Sequence, residues 1–213
     1  MLVALGLPRT LAYAVSAPDD EIVAALAKYP PPGPVRMVEA IDSRRGALAR
    51  HDDGHLRGDI AALELALARR AGLASREGAA RLEQVEAEAR EGLSLAPGQP
   101  YAWVALVYAM IARGADRTTV APAYRMAVGI APYEPALVVQ RVELGFAALA
   151  RDALDDDGRA VLDDQIRIAA AGAPVELARL ARRRYALSAI RAVLADKPDL
   201  LARFDTAYLS SVR

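Results

Sequence analysis

The sequence predicts an all-α protein built of antiparallel helical hairpins stacked side by side. Three observations lead there. Strong helix formers dominate the 213 residues, while aromatic residues reach only 5%, a composition that suits close helix packing better than strands rich in β-branched and aromatic side chains. From Val35 onward apolar residues recur with the 3.6-residue period of a helix face, and no window alternates convincingly with the period of two that a half-buried strand needs. Finally, the run Leu95-Ala96-Pro97-Gly98-Gln99-Pro100 returns as Ile130-Ala131-Pro132-Tyr133-Glu134-Pro135, so that a helix end and a helix start repeat 35 residues apart.

The elements follow in order. Leu2 to Leu7 is apolar, Pro8-Arg9 interrupts it, and Thr10 to Ala17 is mostly apolar again. This is short of the roughly 20 apolar residues of a spanning helix, and no basic residue precedes it as in a signal peptide. It reads either as a loosely packed amphipathic helix or as the second half of a membrane anchor whose first half would lie upstream of Met1. Asp19-Asp20-Glu21 puts acid at the positive end of a short helix over 22–28. Tyr29-Pro30-Pro31-Pro32-Gly33-Pro34 cannot be helix, because proline lacks the donor and fixes φ, so residues 1–34 form an arm ahead of a repeat domain over 35–213. Within that domain Gly and Pro punctuation predicts helices over 36–50, 55–71, 76–95, 100–113, 117–130, 135–150, 157–171, 175–195 and 198–210. Connections of a few residues make neighbours antiparallel. The last helix reads as a cap, with Asp196 at its start, Pro198 in its first turn, Leu200, Leu201, Phe204 and Leu209 facing inward, and Arg203 and Asp205 outward.

The paired Pro-x-x-Pro connections and their flanks resemble tetratricopeptide repeats. That family places an Ala five residues and a bulky residue eight residues before its closing Pro. Pro132 has Ala127 and Tyr124 there, and Pro174 has Ala169 and Ile166. Trp103, Leu106, Val107 and Met110 occupy the large, Leu, small and aromatic places of the family's first helix. The chain departs from the pattern at Pro97, which has Gly92 and Ala89 upstream, and at Arg141, which replaces the expected Leu. Arg141 therefore marks a slip of register or a charge paired with a buried carboxylate. The resemblance is good over 84–142 and thin on either side. It implies an α-solenoid with a C-terminal capping helix, and a concave groove lined by Tyr101, Val104, Tyr108 and Ile111 and, in the next hairpin, by Ala136, Val139, Glu143 and Phe146. The partner-contact residues expected from it are Tyr101, Tyr108, Val139, Glu143 and Phe146.

Composition narrows the chemistry. Twenty-seven basic residues balance 27 acidic ones, so the chain lacks the basic excess of a general nucleic-acid binder. No cysteine is present, which removes disulfides, thiolate nucleophiles and Cys-ligated metals. His51-Asp52-Asp53-Gly54-His55 is the one metal-like cluster, but Gly54 and the tandem Asp place it in a turn where Asp caps the next helix. Asp155-Asp156-Asp157 likewise opens a helix, and at helical spacing Asp163 can pair with Arg159 and Arg167, and Asp164 with Arg167. No nucleophile elbow, phosphate loop or dinucleotide fingerprint occurs, so neither a catalytic residue, a cofactor nor a metal is expected. Arg179, Arg182, Arg183, Arg184 and Arg191 make a basic stretch, by default a solvated face and otherwise a stripe for an acidic partner or anionic headgroups. The function expected is a non-enzymatic adaptor binding a protein or peptide, with membrane association through the N-terminal run as an option. The alternative is a structural subunit whose aromatic stripe stays covered by its own arm or by a second copy.

Overall fold

The computed structural model describes residues 20–26 and 32–211. The N-terminal run over 2–17 and the first half of the proline-rich stretch, 29–31, lie outside the described residues. Each described regular element is an α-helix: α1 Asp20–Ala25, α2 Pro34–Leu48, α3 Gly54–Ala71, α4 Arg76–Leu95, α5 Pro100–Arg113, α6 Arg117–Gly129, α7 Pro135–Leu149, α8 Asp156–Gly172, α9 Pro174–Arg184, α10 Leu187–Leu194 and α11 Pro198–Ser210. They form two compact units, the first ending at Arg113 and the second running from Gly114. The hairpin expected from 100–130 is thereby divided, with α5 in the first unit and α6 in the second.

Local chemistry sets most of the helix ends. Asp53 accepts from the His55 and Leu56 amides and starts α3; Ser75 accepts from Gly78 and starts α4; Asp116 accepts from Thr119 and starts α6; Asp155 accepts from Gly158 and starts α8. Proline occupies the first turn of α2, α7, α9 and α11, where no hydrogen bond is lost. The α3–α4 turn passes through Gly72 at φ 86°, a left-handed backbone open to glycine at little cost.

In the first unit α2, α3, α4 and α5 follow one another antiparallel. Arg44 at the end of α2 pairs with Asp59 early in α3 at 3.2 Å, and Arg113 at the end of α5 pairs with Glu86 of α4. The core runs from α1 through α2 into α3 as Ile22, Met37, Ile41, Ile60, Leu63 and Leu67. The helices α3 and α4 touch backbone to backbone. A Cβ on Gly54 would lie 2.5 Å from the Gly92 carbonyl oxygen, and one on Gly58 would fall within 2.4 Å of the Gln99 amide. Gly58 thus makes room for Gln99, buried in the Pro97–Pro100 connection, whose Nε2 donates to the His55 carbonyl at 3.2 Å.

In the second unit α8 is the hub, packing against α6, α7, α9, α10 and α11. Its Leu162 and Ile166 are fully buried, as are Tyr124, Leu137, Leu154 and Phe204 of the same unit. Gln165, also of α8, donates to the Pro132 carbonyl at 3.1 Å, so this connection too is held by a buried glutamine, supplied here by another helix. Three sequence expectations change in this unit. The helix over 175–195 is broken after Arg184, because Tyr185 turns left-handed at φ 53° and the Ala186 amide closes back on the Ala181 carbonyl at 2.9 Å. In the terminal cap Phe204 is buried but Leu209 is 72% exposed. Five residues at 100° each carry Leu209 some 140° round from Phe204, away from the buried face. Asp196 does not cap that helix; Lys197 stands at the cap, and Asp196 lies 3.8 Å from Arg167.

Asp155 also receives Arg125 Nη1 at 2.6 Å. That bond, with the Gly158 amide, holds its carboxyl below the usual carboxylate range. A depressed carboxylate contributes stability that is present above its unfolded pKa and is lost as pH falls through the folded one. Melting temperature is therefore expected to drop below about pH 4, and Asp155→Asn, which keeps a capping side chain but not the charge, should show a shallower drop that meets wild type in acid. Parallel melting curves from neutral to acid pH check this; identical slopes would remove Asp155 from the account.

Candidate functional site

The aromatic stripe of α5 is only partly open. Val104 and Ile111 are buried, Tyr101 is 39% exposed, and Tyr108 is half-buried with the Arg69 guanidinium 5.5 Å above its ring. The neighbouring stripe is core: Leu106, Val107 and Met110 are buried, and Trp103 is tied by its indole N–H to the Pro97 carbonyl at 2.8 Å. On α7, Val139 and Phe146 are half-buried. Glu143 is half-buried as well, and Arg184 holds it at 2.7 Å. Tyr101 and Tyr108 belong to the first unit, and Val139, Glu143 and Phe146 to the second.

Arg141 is fully buried, so its charge lies inside the second unit. Its Nη1 donates to the Ala131 carbonyl at 2.6 Å, and its own carbonyl accepts from the Tyr124 hydroxyl at 3.1 Å. Burial pushes the Tyr124 phenol well above its ordinary range, and the Arg141 charge offsets this only in part. The guanidinium thus ties α7 to the connection that precedes it, while the tyrosine ties α6 to α7.

An open, partly apolar surface among the described residues of the first unit lies elsewhere, in a groove with α2 and α4 as walls and α3 as floor. Two adjoining recesses of about 350 and 470 Å³ share Val38, Glu77 and Arg81 in their linings. Val35 and Val38 project from α2 with 68% and 40% of their surface exposed. At the floor Glu64 is almost fully buried and is clamped by Arg45 at 3.2 Å and Arg81 at 2.7 Å. Burial works against the charge on Arg81, but hydrogen bonds to Glu64 and Glu77 outweigh it and hold the guanidinium above its ordinary pKa. The groove therefore offers an apolar wall and fixed charges of both signs. A lone acid in the apolar run Ala61-Ala62-Leu63-Glu64-Leu65-Ala66-Leu67 was the one sequence signal for it. The exposed Val35 and Val38 look in sequence like any other core positions of an amphipathic helix.

Asp53 caps α3, while His51 is half-buried and His55 exposed. Of the carboxylates on α8, Asp164 pairs with Arg167 at 3.0 Å, whereas Arg159 turns to Asp152 at 3.6 Å rather than to Asp163. Among the described residues no helix is long and apolar enough to cross a membrane. The arrangement defines an all-α protein of two compact units. Comparison with family models, with curated proteins and with solved structures finds no match for this chain.

Proposed function

We propose that this chain is a non-enzymatic interaction module of tetratricopeptide-like build, and that the α2–α4 groove receives an amphipathic helix or extended segment of a partner protein. The observation that carries the reading is Val35 and Val38 left exposed beside the clamped Glu64. An apolar wall rimmed by ordered charges suits a helix that lays one face into a groove and pairs its flanks with the rim. The antiparallel succession from α2 to α5 supports the solenoid part of the reading. Tyr101 and Tyr108 in one unit, and Val139, Glu143 and Phe146 in the other, remain contact candidates. In the same reading the N-terminal segment ahead of the helical domain associates the module with a membrane.

Val38→Asp tests the groove. An aspartate at this exposed position should leave the melting temperature within a few degrees, because substitutions at exposed sites usually stay within about 0.5 kcal/mol. Partner recovery in affinity capture from the native host should fall about tenfold or more if the side chain sits at the centre of the contact. Equal recovery by wild type and variant would overturn the groove reading. A second reading, a homo-oligomer, is favoured by Tyr133, 75% exposed. Sedimentation at rising concentration separates the two.

A further inference from the structure

The second unit ends in a corner of α9, α10 and α11 that encloses a recess of about 620 Å³, whose lining includes Arg182, Tyr185, Leu187, Ser188, Arg191 and Tyr208. Arg182 is unusually well held. Its guanidinium stacks 3.8 Å from the centre of the Tyr208 ring, its Nε donates to the Ser211 hydroxyl at 3.0 Å, and its Nη2 donates to the Tyr208 carbonyl. Among the described residues no carboxylate pairs with it, and its Nη1 makes no hydrogen bond. A planar fork fixed in this way recognises a carboxylate with little further loss of side-chain freedom.

The surroundings add charge and apolar surface. Glu143 answers Arg184 and Asp205 answers Arg191, at 2.7 and 2.9 Å. Arg179 and Arg183 are exposed and form no ion pair with the described residues. Three cations, Arg179, Arg182 and Arg183, thus stand without a balancing acid among the described residues, in a chain whose formal net charge is zero. Beside them Tyr185 is 94% exposed and sits at φ 53°, a conformation that glycine adopts freely and a tyrosine does not. Glycine would end α9 equally well, so the aromatic ring is what this position adds.

We infer that this corner binds an acidic, partly apolar segment of a partner protein. A carboxylate meets Arg182 and Arg183, and a neighbouring aliphatic or aromatic side chain enters the recess against Leu187 and Tyr208, with Tyr185 packed on its outer side. Charge complementarity selects an acidic partner. The recess selects a peptide over a membrane surface, because headgroups meet an outward face whereas a side chain fills a hollow. The site lies wholly within the second unit, so it does not depend on the α2–α4 groove of the first.

The test uses the whole chain and a fluorescein-labelled peptide of repeated Glu-Glu-Leu-Phe, followed by anisotropy at low and physiological salt. Wild type should bind it, and binding should weaken with salt. The counterpart with Lys for Glu should not bind. Removing Arg182 also removes a tie to α11, so exposed positions carry the test. Arg183→Glu should weaken binding about tenfold with an unchanged melting curve. Tyr185→Gly should raise the melting temperature, by relieving the left-handed tyrosine, yet weaken binding about fivefold. That opposite pair of shifts is not expected of a merely structural residue. The inference is overturned if the peptide does not bind, if Arg183→Glu binds it as well as wild type, or if Tyr185→Gly leaves its affinity unchanged. It is also overturned if vesicles of phosphatidylserine and phosphatidylcholine bind in the peptide's place.

Discussion

Gly54→Val is expected to unfold the first unit at temperatures where the wild-type chain is folded. A Cβ at Gly54 would meet the Gly92 carbonyl oxygen at 2.5 Å and the Ala96 nitrogen at 2.8 Å. Both are backbone atoms of the facing segment, so no side chain can swing aside, and α3 would have to lift away from α4. These helices form the largest contact in the unit, and separating them opens the core that Ile60, Leu63 and Leu67 share with α2. Overpacking of this kind costs about 3 kcal/mol or more, which corresponds to a fall of about 15 °C for a unit of this size. Gly98→Ala is the matching control. A Cβ there would meet nothing within 4 Å, so its effect should stay within about 0.5 kcal/mol. Thermal unfolding followed by circular dichroism distinguishes the two. If Gly54→Val melts together with Gly98→Ala, the close approach of α3 and α4 does not hold the unit together.

Arg141→Ala is expected to destabilise the second unit by about 3 kcal/mol, through the hollow left by a fully buried side chain and the loss of the donor to the Ala131 carbonyl. Arg141→Met separates the two causes. Methionine fills much of the same volume without a charge, and apolar replacement of buried ionic groups is often neutral or stabilising, so this variant should melt within about 1 kcal/mol of wild type. If both variants lose the full amount, the charge itself is required, as it would be were it paired with a buried carboxylate. If neither loses stability, the guanidinium does not tie α7 to its connection. The same comparison reports on Tyr124, because its hydroxyl reaches the main chain of Arg141 rather than the side chain and should be kept by both variants.

Both effects arise where distant segments meet, and local patterns pointed to only one of them. Gly54 reads in sequence as a turn residue after Asp52 and Asp53, and it does open α3 just inside a cap. That it is also the point of closest approach to Gly92 depends on how α3 and α4 cross. Arg141 was conspicuous only because it broke a repeat pattern; its burial follows from the face that α7 turns inward. The groove at Val35 and Val38 was illegible for a related reason. An apolar residue on an amphipathic helix carries no mark of whether a neighbour will cover it.

By itself the sequence determined the all-α class and nearly every helix boundary. Asp53, Ser75, Asp116 and Asp155 cap amides two or three residues ahead of them, and the prolines at α2, α7, α9 and α11 act within a single turn. Such interactions close inside a few residues and need no knowledge of the rest of the chain. The tertiary structure alone decided what packs on what. It assigned α5 and α6 to different units although together they carried the clearest repeat, turned Leu209 outward, broke the helix at Tyr185, and buried Glu64 and Arg141. Each of these rests on contacts between residues far apart in sequence, where the free energy depends on which faces meet and not on which residues are neighbours along the chain.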